Sequence, residues 1–155
     1  RPLQLRERGY ESPEPVAFVK YNKGLVTSVT YFVSLLSKYR YSLASITDLS
    51  DDERHEVTDS FARFAARLHE DGFLHRDFSS SNILFDKVGD RYRFALVDTN
   101  SLRTGRPVSV EKGCANFSRL IGDNEFFSEL ARVYAEARKA DPDYCRRLID
   151  KAKGL

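Results

Sequence analysis

The middle of the chain repeats apolar residues at the spacing of an amphipathic helix. Ser50 followed by Glu53 is the pattern of a capping box, which marks a helix start, and Gly72 is typical of a helix end. The apolar face between these signals consists of Val57, Phe61, Phe64, Ala65 and Leu68. The pattern therefore predicts one long helix that buries this face.

The N-terminal third has a different pattern, with runs rich in β-branched and aromatic residues. Residues 16–21 and 25–33 are two such runs, on either side of Asn22-Lys23-Gly24. Because Asn and Gly tolerate the positive φ of tight turns, this segment predicts a β-hairpin. Residues 1–10 resemble the end of a helix that stops at Gly9.

Short strands and then helices are predicted after the long helix. NILFD and YRFALVD are β-type segments, and KVGDR between them contains the turn residues Gly89 and Asp90. Residues 117–153 predict two helices separated by Asp141-Pro142. The apolar face of the first consists of Leu120, Phe127, Leu130, Val133 and Tyr134.

Composition limits the class of protein. A chain of 155 residues with 41% hydrophobic content suffices for one globular domain. Its 25 basic and 23 acidic residues are interleaved, so we expect no basic stripe of the kind that binds nucleic acid. The apolar runs are too short for a transmembrane helix or a signal peptide, and Cys114 and Cys145 lack metal-ligand spacing. We therefore expect a cytoplasmic protein with two free thiols.

A candidate catalytic loop follows the long helix. LHRDFSSSN matches the pattern H-R-D-x-x-x-x-N at His75, Arg76, Asp77 and Asn82, and a later strand ends in Asp98. Phosphoryl transfer depends on positioning: one carboxylate orients the acceptor hydroxyl, and a second carboxylate and an amide oxygen hold magnesium. Asp77 fits the first role, and Asn82 and Asp98 fit the second.

These residues also have a simpler interpretation. An H-R-D tripeptide is common by chance, and an Asp after a helix is more often a solvated turn residue than a catalyst. The joint order of helix, tripeptide, Asn, strand and strand-end Asp favours the kinase-like interpretation. His75 fits a packing residue of the loop better than a base, and the serines at 79–81 have no base beside them that would make a nucleophile.

With these motifs the chain resembles the lipopolysaccharide core kinases of Gram-negative bacteria. Three segments carry the resemblance: RERGYESPEPVAFVKYNKGLVTSVTYFVS, LHEDGFLHRDFSSSNILFD and FALVDTNSLRTGRPVSVEKGCANFSRL. It implies an α+β, protein-kinase-like fold. Residues 1–36 would form the C-terminal part of the small lobe with the hinge, and residues 37–155 the large catalytic lobe.

The resemblance also implies the chemistry. ATP and Mg²⁺ would be the cofactors, and a Kdo or heptose hydroxyl of the lipopolysaccharide core would be the acceptor, with Asp77 as the catalytic base. The implied catalytic residues are His75, Arg76 and Asp77, the metal ligands Asn82 and Asp98, and the adenine contacts Ser34, Leu35 and Leu84. A lipid-linked acceptor would also imply peripheral contact with the inner membrane.

The chain departs from the kinase pattern in two places. Thr99-Asn100 stands where kinases keep Phe-Gly, and no A-P-E segment follows, which suits a small-molecule acceptor better than a peptide. Lys20 in VAFVK is not the expected phosphate-binding lysine, because its strand leads to another strand and not to a helix with a partner glutamate. Glu7 lies too close to the next strand to be that partner. We therefore expect the Gly-rich loop and the lysine upstream of Arg1, and this chain to be a fragment.

Two other functions remain open from the sequence. One is a protein or aminoglycoside kinase of the same fold. The other is an inactive pseudokinase that acts as a binding module. The presence of Asp77, Asn82 and Asp98 together argues against the second, because a binding module has no physical need for all three.

Overall fold

The computed structural model describes residues 2–23, 26–34 and 37–155, and places five α-helices and seven strands within these ranges. The helices are α1 (Pro2–Glu7), α2 (Asp51–Glu70), α3 (Val110–Asn116), α4 (Asn124–Arg138) and α5 (Pro142–Lys153). The strands are β1 (Pro15–Lys23), β2 (Val26–Ser34), β3 (Tyr41–Ser42), β4 (Phe73–His75), β5 (Ile83–Val88), β6 (Arg91–Leu96) and β7 (Leu102–Thr104).

The predicted N-terminal hairpin is confirmed as the antiparallel pair β1–β2, in which Lys20 lies opposite Thr30. The predicted turn is wrong in part. Asn22 and Lys23 belong to β1, because the strand pairing continues as far as Lys23 opposite Val26. Gly24 lies outside the described residues. The strand of Lys20 therefore leads into another strand, as the sequence indicated.

Two small sheets carry the remaining strands. β5 lies between β3 and β6, and β4 pairs with β7, all antiparallel. The predicted turn between β5 and β6 is confirmed, with Gly89 at a φ of 62°. β3, β4 and β7 were not predicted. Each has only two or three residues, too few for a period of two to show.

The long helix α2 forms as its pattern predicts. The Ser50 hydroxyl accepts a hydrogen bond from the Glu53 amide, and the Glu53 carboxylate accepts one from the Ser50 amide, each at 3.4 Å. Phe61 is fully buried and contacts the rings of Phe78, Phe94 and Phe117 at centroid distances of 5.7–6.4 Å. This aromatic cluster joins α2 to the segment that follows β4, where the candidate loop lies.

Two of the C-terminal helices are confirmed, but the first begins later than predicted. Residues 117–119 form a 3-10 turn, and α4 begins after Asp123, whose carboxylate accepts a hydrogen bond from the Phe126 amide at 2.8 Å. α3 was not predicted, because its seven residues include Gly113 and Asn116, both unfavourable within helices. None of the helices in the described ranges combines the length and apolarity that a membrane span requires.

Gly72, at the end of α2, fixes the path of the chain into β4. Its φ is +82°, and a Cβ there would overlap the carbonyl oxygen of Gly105, whose amide donates to the Gly72 carbonyl at 3.0 Å. Replacing Gly72 with Ala should lower the free energy of unfolding by roughly 2–5 kcal/mol, because backbone strain and steric overlap both oppose it.

The matched control is Gly89→Ala, where φ is +62° but no atom lies within 4 Å of the added Cβ. Only the backbone strain applies there, so the expected loss is about 1–2 kcal/mol. Urea unfolding of both variants measures the difference. Equal losses of unfolding free energy in the two variants would show that the Gly105 carbonyl does not exclude a side chain at position 72.

Candidate active site

The loop between β4 and β5 contains the H-R-D motif and is held at both ends by backbone hydrogen bonds. At its start, the Arg76 amide donates to the Ser101 carbonyl at 3.0 Å. At its end, the Val97 amide donates to the Asn82 carbonyl at 3.0 Å. The His75 ring, fully buried, places Nε2 3.0 Å from the Val97 carbonyl. The loop is therefore fixed to the end of β6 and to the segment beyond it.

These bonds bring the backbones of the two predicted magnesium ligands close together. Ile83 pairs with Leu96 in the β5–β6 ladder, so Asn82 and Asp98 continue from paired strand ends at the same edge. The Asn82 side-chain amide donates to the Asp77 carbonyl at 3.0 Å. This bond shapes the loop and leaves the Asn82 Oδ1 as an oxygen that a cation can approach.

Asp98 has an unusual backbone conformation. Its φ is 50° and its ψ is 48°, in the left-handed region, and its side chain is exposed. Among residues other than glycine, Asp is one of the few that visit this region, and such conformations concentrate at functional sites. The carboxylate thus stands at the point where the chain turns sharply out of β6.

Arg119 is the residue of the site that the sequence did not reveal. Its guanidinium lies 2.7 Å from Oδ1 of Asp77, an ion pair in which the N–H bonds are not aligned for a hydrogen bond. The Arg119 side chain is 63% exposed and that of Asp77 31%, although Oδ1 of Asp77 is itself buried. No motif surrounds Arg119, and only the fold brings the two residues together.

A buried polar network supports the loop from behind. The Asn116 side chain donates to the His75 carbonyl at 2.9 Å, and its Oδ1 lies 3.2 Å from Nε2 of His69. Nδ1 of His69 lies 2.9 Å from the Tyr134 hydroxyl, which accepts from Arg138 at 2.7 Å. Every donor finds an acceptor if His69 is neutral and carries its proton on Nε2.

Burial accounts for that protonation state. His69 has no exposed surface, and the loss of hydration lowers its pKa to about 4. The nearby Arg138 guanidinium acts in the same direction, and only the hydrogen bond to Asn116 opposes it. His69 is therefore an uncharged link between α4 and the loop.

Two further residues anchor the loop by packing and by hydrogen bonds. Phe78 is buried between the rings of His75 and Phe117. Ser80 is buried, and its hydroxyl accepts from the Ile121 amide at 2.8 Å. Its carbonyl accepts from the Ser42 hydroxyl at 3.0 Å. Ser80 thus has the structural role that the sequence favoured for the serines of this loop.

The predicted adenine contacts are only partly described. Leu84 is half-buried on β5, the middle strand of its sheet, between Ser42 and Ala95. Ser34 ends β2, and Leu35 lies outside the described residues. The adenine site therefore stays a prediction, as does the lobe boundary after residue 36.

Neither cysteine bears on a metal site. Cys114 and Cys145 are free and buried. Over the described ranges, the fold gathers no group of three or more His, Cys, Asp or Glu side chains that could hold a metal. The predicted magnesium site does not require one, because Mg²⁺ commonly takes one or two carboxylates and completes its shell with phosphates and water.

Comparisons with known proteins agree with this geometry. The sequence model of the lipopolysaccharide kinase (Kdo/WaaP) family matches residues 3–121. A structure of WaaP in complex with acyl carrier protein is similar with a TM-score of 0.67 and 18% identity, over 98% of this chain and 72% of that one. A Rio2 kinase–ADP/Mg²⁺–phosphoaspartate complex from Chaetomium thermophilum gives a TM-score of 0.46 and 18% identity, over 97% and 45%. A comparison with curated proteins gave no match.

The similarity to the WaaP structure shows that the chain has a protein-kinase-like fold. Within that class, the chain belongs to the lipopolysaccharide kinase (Kdo/WaaP) family, whose model covers most of its length. The predicted fold class and the family resemblance are both confirmed. The roles of the individual site residues are not tested by these comparisons and stay predictions.

Proposed function

We propose that the protein transfers the γ-phosphoryl group of ATP to a Kdo or heptose hydroxyl of the lipopolysaccharide core. The observation that carries this proposal is the hydrogen-bonded junction of the loop with the end of β6. There the Asn82 backbone carbonyl accepts from the Val97 amide, next to Asp98, and the Asn82 side-chain amide donates to the Asp77 carbonyl. Family membership supports the phosphoryl transfer and the lipopolysaccharide acceptor.

Each residue of the junction has a proposed task. Asp77 orients the acceptor hydroxyl and accepts its proton, since its side chain is partly exposed and its backbone is fixed by Asn82. Arg119 holds that carboxylate by charge until the acceptor arrives. Asp98 and Asn82 hold Mg²⁺, which when bound neutralises charge on the phosphates.

The remaining kinase parts are proposed to lie outside this chain. Lys20 belongs to the β1–β2 hairpin and its strand is not followed by a helix, so it does not fit the phosphate-binding lysine. We place that lysine and the phosphate-covering loop in further sequence of the full-length protein. Because the proposed acceptor is lipid-linked, we also place the reaction at the surface of the inner membrane.

A parallel acceptor assay tests the function. The full-length protein is incubated with ATP labelled in the γ-phosphate and Mg²⁺, and is offered purified core oligosaccharide, a generic peptide substrate and an aminoglycoside in separate reactions. Label should transfer to the oligosaccharide alone. Transfer to the peptide or the aminoglycoside would instead establish another kinase of the same fold. Nucleotide binding without transfer to any of the three would establish a binding module.

A further inference from the structure

A basic pocket lies at the end of the β4–β7 ribbon where β4 begins and β7 runs on towards α3. It encloses about 430 Å³, and its lining includes Arg103, Arg106 and Lys112. No acidic side chain of the described residues lines it. The rest of the lining is apolar, small or uncharged, so three positive charges face one cavity in a chain of nearly balanced charge.

The walls of the pocket are fixed by hydrogen bonds. The Gly105 amide donates to the Gly72 carbonyl at 3.0 Å, and the Val108 amide donates to the His69 carbonyl at 2.8 Å. The Val108 carbonyl in turn accepts from the Arg138 guanidinium at 2.6 Å. The segment that carries Arg106 is therefore attached to the end of α2 at two points, and the cavity is preformed.

Within the described ranges, the three cations have no ion-pair partner. Unlike Arg54, which contacts three carboxylates, none of the pocket cations makes an ion pair with any residue in the described part of the chain. The acidic residues on the flanking helices are engaged elsewhere. Glu70 pairs with Arg138 at 3.5 Å, and Glu111 accepts a hydrogen bond from the Tyr144 hydroxyl at 3.3 Å. The positive charge of the pocket is available to a ligand.

The pocket and the candidate active site share one two-stranded ribbon. Arg103 lies opposite Leu74 in the β4–β7 ladder, and Leu74 precedes Asp77 by three residues. The Arg76 amide continues the contact by donating to the Ser101 carbonyl. Three residues of chain span at most about 11 Å, so a molecule that presents a hydroxyl to Asp77 must extend roughly this far to place an anionic group beside Arg103.

We propose that this pocket binds a phosphate monoester carried by the acceptor molecule. The proposal rests on the function proposed above and specifies its substrate as one already phosphorylated. Guanidinium groups match phosphate oxygens two at a time, and a lysine adds a further charged donor. A cavity of this size lies within the range of small-molecule sites and has room for the phosphate and its adjoining sugar.

Amide NMR on the isotope-labelled full-length protein tests binding without any need for catalysis. Inorganic phosphate and glucose 1-phosphate are titrated while the resonances of Gly105 and Lys112 are followed. Both ligands should shift these resonances in a saturable manner, and the double variant Arg103→Ala/Arg106→Ala should weaken binding at least tenfold. The matched control is Arg91→Ala/Arg93→Ala, which removes two exposed arginines from β6 and should bind like wild type. Equal affinity in the wild type and in the pocket variant would overturn the proposal.

Two further measurements are needed. The first shows whether the bound phosphate belongs to a sugar or to a lipid, and the second tests the pocket separately from the proposed function. Phosphatidylcholine vesicles with and without phosphatidic acid show whether a lipid phosphate uses the same arginines. Binding of either the sugar phosphate or the lipid phosphate through these arginines supports the proposal, and binding of neither overturns it. In the transfer assay, the pocket variant should raise KM for phosphorylated core oligosaccharide at least tenfold and leave kcat unchanged. If the pocket binds phosphate but the protein transfers no phosphoryl group to the oligosaccharide, the proposed function is wrong and the binding proposal stands. If transfer occurs and the pocket variant has the wild-type KM, the binding proposal is wrong and the proposed function stands.

Discussion

Replacing Asp77 with Asn should lower kcat for phosphoryl transfer by roughly 10²–10⁴-fold, the usual contribution of a general base. Asn has nearly the same shape but cannot accept the hydroxyl proton. The hydrogen bond that shapes the loop should survive, because Asn82 donates to the backbone carbonyl of Asp77 and not to its carboxylate. The loss should therefore appear in kcat, while the affinity for Mg²⁺ and ATP stays close to that of wild type.

Asp98→Asn, in the same site, should affect nucleotide binding, whereas Asp77→Asn should affect kcat. This change weakens a proposed metal ligand, so Mg²⁺-dependent nucleotide binding itself should fall. Asp90→Asn, in the β5–β6 turn, is the matched control and should change neither kcat nor the affinity for the Mg²⁺-nucleotide. Calorimetric titration with an ATP analogue, with and without Mg²⁺, separates the two effects. Turnover near the wild-type rate in Asp77→Asn would remove Asp77 from the mechanism, and unchanged Mg²⁺-nucleotide affinity in Asp98→Asn would remove Asp98 from the metal site.

The elements that could be predicted are those with a long or strongly marked local pattern. α2 has a capping box and a repeated apolar face, and Asn22 and Gly24 in the sequence mark the β1–β2 pair. β4 and β7 depend instead on their pairing with each other, which a run of three residues does not reveal. The turn was misplaced for a similar reason, since the pairing of Lys23 with Val26 overrides the local preference of Asn22 for a turn.

Some residues of the candidate site could likewise be predicted from the sequence, and others could not. Asp77 and Asn82 could be found because the loop needs them at a fixed interval in sequence. Arg119 and Asn116 could not, because their contacts with Asp77 and His75 join distant parts of the chain and have no preferred spacing. The residues with a proposed chemical role could thus be predicted from the sequence, whereas Arg119 and Asn116 were identified only from the fold.

His69 should make the stability of the protein depend on pH between about 4 and 6.5. Its pKa is about 4 in the folded protein and close to 6.5 when the chain is unfolded, so the unfolded state binds more protons in this window. The stabilisation from burying the neutral ring is complete above pH 6.5 and is lost as the pH falls towards 4. A shift of this size corresponds to roughly 3 kcal/mol of unfolding free energy.

The test compares His69→Gln with wild type in urea unfolding at a series of pH values, so that the titration of the carboxylates cancels. Gln can keep polar contacts with Asn116 and Tyr134 but does not titrate, so the stability difference between variant and wild type should shrink by about 3 kcal/mol on going from pH 7 to pH 4. His55→Gln, on the same helix but with a side chain 66% exposed, should show little such change. If the His69→Gln difference stayed constant with pH, the pKa of His69 would be the same in the folded and unfolded states, and burial would not keep the ring neutral between about pH 4 and 6.5. The one-directional chain of hydrogen bonds from Arg138 to the candidate loop would then be broken below about pH 6.5, because a protonated Nδ1 cannot accept from the Tyr134 hydroxyl.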